Sequence, residues 1–139
     1  MRFKRIMIIS AAIVAPLFGW AAIAHAQDFR APEKVADKKF WIVAGGLTTT
    51  MLLDTKSTFE VGKRCQDCYE ANPVVAPFVR QGATTTYAAG LAFDAGVMTV
   101  AYKMKGSENT WARRTWWVVP AALIVGHSIA YRHNDNLAR

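Results

Sequence analysis

The residues that could do chemistry are few and lie far apart along the chain. Cys65-Gln66-Asp67-Cys68 sets two thiols three positions apart. A single C-x-x-C is half of a zinc site, a redox pair or a short disulfide. No second C-x-x-C and no H-x-x-x-H completes a metal set. Three readings therefore stay open: a structural thiol pair or disulfide, a redox-active pair, or a metal site to which His127, His133 or Glu70 adds ligands. Asp94 and His127 are each the one ionisable residue deep inside a largely apolar stretch, and Asp54 lies deep in a third, which also holds Lys56 nearer its end. Thr50, Asp54, Ser57 and Thr58 fall at i−4, i, i+3 and i+4, which is one face of a helix. That stripe reads either as a proton or ion site or as a polar clasp between helices. Asp94 lies between Gly90 and Gly96, where a second helix can come close, and is expected to be a protonated, hydrogen-bonded carboxyl. Nucleophile elbow, H-E-x-x-H, P-loop and dinucleotide fingerprint are all absent, so no catalytic set is assembled.

The elements that must position these residues follow from composition and periodicity. The chain has 139 residues, enough for one domain, with 53% apolar and 19% charged residues. That balance excludes a disordered chain, and two cysteines exclude a disulfide-rich scaffold. Residues 1–26 read as a signal peptide or an uncleaved signal anchor. Arg2, Lys4 and Arg5 precede an apolar run, and Ala24-His25-Ala26 supplies small-x-small. Losing those three cations brings the net charge from +7 to +4. The remaining basic residues sit between apolar runs rather than on one face, so nucleic acid is not an expected partner.

After a polar segment, 27–39, three spans of about 20 residues follow at 40–59, 84–102 and 115–131. Tryptophan, tyrosine, lysine and arginine gather near their ends. The expectation is an all-α membrane bundle: three transmembrane helices in a domain over 40–132, four if the leader is retained, with a short interfacial helix after Pro73 and a C-terminal tail at 133–139. Asn72-Pro73 reads as an N-cap followed by proline at the first helical position. The expected location is the bacterial inner membrane, multi-pass, with the lipid bilayer as partner. Threading the spans antiparallel puts Asp54 about 8 Å and His127 about 6 Å inside the same boundary, so the two should be hydrogen-bonding partners.

Asp54-Thr55-Lys56-Ser57-Thr58, followed after one loop by Glu70-Ala71-Asn72-Pro73, resembles a family of small bacterial multi-helix membrane proteins of unknown function with a D-x-x-[ST]-T … E-x-N-P pattern. The resemblance extends over about Phe40 to Tyr131. It implies a multi-helix membrane fold and brings no activity with it. The residues it carries over are Asp54, Ser57, Thr58, Glu70, Asn72 and Pro73. The C-x-x-C, His127 and the leader lie outside the pattern. The expected function is that of a structural or accessory protein that binds other membrane subunits or itself, with no catalytic residue and no cofactor. The alternatives are a redox or metal-binding protein using Cys65, Cys68 and His127, and an ion- or proton-handling protein or enzyme using Asp54, Asp94 and His127.

Overall fold

A computed structural model describes residues 7–8, 35–65 and 68–138. The leader assigned to 1–26 lies outside the described residues except for Met7–Ile8, and the polar segment 27–39 is described only from Val35 onward. The order of elements is β1 (Met7–Ile8), α1 (Lys38–Arg64), β2 (Tyr69–Glu70), α2 (Ala76–Gln81), α3 (Ala83–Gly106), α4 (Thr110–Thr115) and α5 (Val118–Ala138). The two-residue strands pair in parallel, Met7 with Tyr69 and Ile8 with Glu70. The described chain is otherwise helical or in connections.

Three long helices make the body. Asp37 starts α1 as its N-cap, its carboxylate accepting from the Phe40 amide at 2.9 Å. Gly82 joins α2 to α3 at φ 104°, a left-handed conformation that glycine adopts without a Cβ penalty. Asn109 caps α4, its side-chain oxygen accepting from the amides of Trp111 and Ala112. Pro120 falls in the first turn of α5, where a missing amide costs no helical bond.

Core contacts give the directions. Phe40 packs with Ala101 and Trp116, and Leu47 with Val97 and Leu123. Rising numbers on α1 thus meet falling numbers on α3 and rising numbers on α5. Helix α3 runs antiparallel to α1, and α5 runs parallel to it. The buried face of α1 includes Leu47, Met51, Asp54, Thr58 and Val61, and that of α5 includes Pro120, Leu123, Ala130 and Asn134. Both sets follow the 3-and-4 spacing of a helix–helix seam, with His127 completing the second. Gly90 lets α3 close on α1: a Cβ there would fall 2.7 Å from Met51 Sδ.

The transmembrane expectation is overturned. Among the described residues no helix is long and apolar enough to cross a membrane. The three spans are helical, but an uncharged run is not the same as an apolar one. Thr48–Thr50 and Thr84–Thr86 dilute α1 and α3, and Lys56, Glu60, Lys63 and Arg64 continue α1 as a charged helix. Helix α5 likewise runs on past Arg132 through His133, Asn134, Asp135 and Asn136, in the stretch 133–139 read as a tail. A bilayer core offers no water to such groups. The transmembrane bundle, its interfacial helix and the multi-pass inner-membrane location are withdrawn together.

Candidate functional site

One ionisable residue from each long helix meets near the middle of the bundle. Asp54 is brought there by the α1 seam, seven residues after Leu47; its side chain is buried, with the residue 3% exposed. On α5, His127 lies four residues after Leu123 and so rises from the same apolar layer. Its Nδ1 is 2.8 Å from Asp54 Oδ2. A carboxylate at Nδ1 fixes the orientation of the ring and leaves Nε2 as the atom that exchanges a proton elsewhere. From α3 comes Asp94, 3% exposed, three residues before Val97 of that layer. Neither Asp94 oxygen has a hydrogen-bond partner among the described residues, where a hydrogen-bonded carboxyl was expected. Burial pushes this carboxyl up from 3.8 to about 6, with His127 pulling it the other way.

The polar stripe of α1 continues one turn further. Ser57 Oγ donates to the Asp54 carbonyl at 2.8 Å, and Thr50 Oγ1 donates back to the carbonyls of Gly46 and Leu47. Ser57 and Thr58 are buried and are met by Asn134, whose Nδ2 donates to Thr58 Oγ1 at 3.1 Å and to Ser57 Oγ at 3.3 Å. Sequence reasoning missed Asn134, which is fully buried. The available signal was its spacing: it follows His127 by seven residues, two helical turns, on the same face.

The other expected residues lie apart from this layer. Glu70, Asn72 and Pro73 fold on themselves: the Asn72 amide donates to Glu70 Oε1 at 2.8 Å, and Asn72 Oδ1 accepts from the Val74 amide. Pro73 is exposed, and the helix begins at Ala76 rather than at Pro73. Cys65 and Cys68 form a disulfide just beyond the end of α1. Cys65 follows Asp54 by eleven residues, about 16 Å along the helix axis, so the cysteines and His127 do not share a site. Among the described residues no group of three or more His, Cys, Asp or Glu could hold a metal ion. The disulfide closes a ring of only four residues, so its reduction should lower stability by no more than about 2 kcal/mol. Melting curves with and without a phosphine reductant check this; a larger loss would show that the bond does more than close its own turn.

At the opposite end, Lys105 was also missed. Its ammonium is 2.7 Å from Asp37 Oδ1, donates to the Val35 carbonyl and lies 5.3 Å from the centre of the Trp116 ring. The hydrogen bond from Lys105, ahead of that from the Phe40 amide, holds the Asp37 carboxyl below its ordinary range. This end also carries Trp41, Trp111 and Trp117, exposed by 64%, 56% and 49%.

The chemistry available in the central layer is proton exchange and hydrogen bonding. Two hydroxyls near this layer donate to backbone carbonyls, Ser57 to Asp54 and Ser128 to Ile124. No protein-family model matches the chain, and no curated protein or solved structure matches it.

Proposed function

We propose that the protein is a non-catalytic structural or accessory module that works by docking a protein partner on its tryptophan-rich end. The observation that carries this reading is the exposure of Trp41, Trp111 and Trp117, together with Ile42 and Val118, at the end where Phe40, Ala101 and Trp116 already close the core. Exposed tryptophans are costly to keep in water and are enriched at the centres of interfaces. Lys38, Lys39, Lys103 and Arg114 are exposed around them, so a partner with acidic groups around an apolar centre fits best. Most of the buried polar residues fit the same reading, because Asp54, His127, Ser57, Thr58 and Asn134 are engaged in holding α1 to α5.

The triple variant Trp41→Ser/Trp111→Ser/Trp117→Ser tests the proposal. These side chains contribute little to the core, so its melting temperature should stay near that of the wild type. The wild type, tagged and cross-linked in its native host, should retain a protein in a fixed ratio, and the variant should lose it. A variant that keeps the same bound protein would overturn the reading.

A further inference from the structure

Asp94 is a group that packing alone does not account for. Its carboxyl is buried, and both oxygens lack a hydrogen-bond partner among the described residues. Native proteins leave few buried polar groups in that state, because each costs its full desolvation. Asp94 and His127 rise from the same floor, the Leu47–Val97–Leu123 layer, and α1 supplies Asp54 to Nδ1 of the imidazole. The charge that acts on Asp94 is that of His127. Charged residues of the other elements packed on α3 stand near its ends: Arg80 on α2, and Arg113 and Arg114 on α4. Asp94 is about 16–18 Å along the α3 axis from either end. On α1, the exposed Lys56 pairs with Glu60, and on α5 Arg132, His133 and Asp135 lie more than a turn past His127.

We propose that this three-helix layer is a proton-binding site, with the Asp94 carboxyl as the acceptor and the Asp54–His127 pair as the neighbour that tunes its affinity. One proton passes from hydronium to an Asp94 oxygen: an O–H bond of hydronium breaks, the O–H bond of a neutral carboxylic acid forms, and a water molecule is released. Burial already favours that form, raising the carboxyl from 3.8 to about 6. The folded chain therefore binds more protons than the unfolded chain between those two values, and folding strengthens as pH falls through 6. The layer loosens the bundle above that pH and tightens it below.

The test uses the full chain, unfolded in urea at pH 7.5 and pH 5.0, as wild type and as Asp94→Asn. Each series is run in sodium, potassium and choline chloride, because a small cation could supply the same positive charge. The ratio of wild-type to variant folding constants should rise about tenfold from pH 7.5 to pH 5.0, identically in the three salts. At pH 7.5 the variant should fold about a hundredfold more strongly than the wild type. An unchanged ratio, or a variant weaker at pH 7.5, would overturn the proposal. A wild type strengthened by sodium or potassium but not choline would assign the site to a metal cation and would also overturn it. Should the variant fail to fold, the carboxyl carbon of Asp94 is followed by NMR in the wild type: titration near 6 supports the proposal, and titration near 4 refutes it.

Discussion

Asp54→Leu should lower the stability of the folded chain by about 3–5 kcal/mol, the usual loss when one partner of a buried ionic or hydrogen-bonded pair is removed. Leucine is of similar size, so the loss comes mainly from His127, whose Nδ1 would face an apolar side chain instead of the oxygen now 2.8 Å away. Asp54→Asn keeps a hydrogen-bonding group in the same shape and should cost only about 1–2 kcal/mol. Chemical denaturation of the three proteins at neutral pH measures the order. Equal losses for Asn and Leu would mean that charge, not the hydrogen bond, holds the pair.

Leu47→Ala should cost about 2–5 kcal/mol, because Leu47 is fully buried at the centre of the layer shared by all three long helices. The vacated volume borders Val97 and Leu123, and both belong to helices held elsewhere by polar contacts, so the site can collapse only in part. The same truncation at Leu52, which is 39% exposed on the same helix, should cost under about 1 kcal/mol. Urea unfolding of both variants checks the contrast; similar losses would place the α1 face differently from the one described.

Helix positions were legible in the sequence because the sparsely charged runs are long, and 40–59, 84–102 and 115–131 all fall on helix except where Trp116–Trp117 separates α4 from α5. What surrounds the helices was not legible in the same way. Counting uncharged residues treats threonine, glycine and alanine as though they were leucine, and six of the threonines fall in the runs 48–50 and 84–86. Residue counting set Asp54 and His127 at one level through antiparallel threading, and that arithmetic needs no bilayer, only three helices joined end to end. The extension of α5 was hidden because His133, Asp135 and Asn136 surround the single inward residue, Asn134, with polar neighbours. The lack of hydrogen bonds at Asp94 could not be read at all, since it depends on which side chains fail to reach it.

The claim that Asp54 and His127 together join α1 to α5 is tested most directly by a double-mutant cycle of Asp54→Leu and His127→Leu, read by urea unfolding at neutral pH. A coupling of about 0.5–3 kcal/mol is expected for two groups in direct contact. A coupling within about 0.3 kcal/mol of zero would contradict the account, because residues that behave additively do not share a bond.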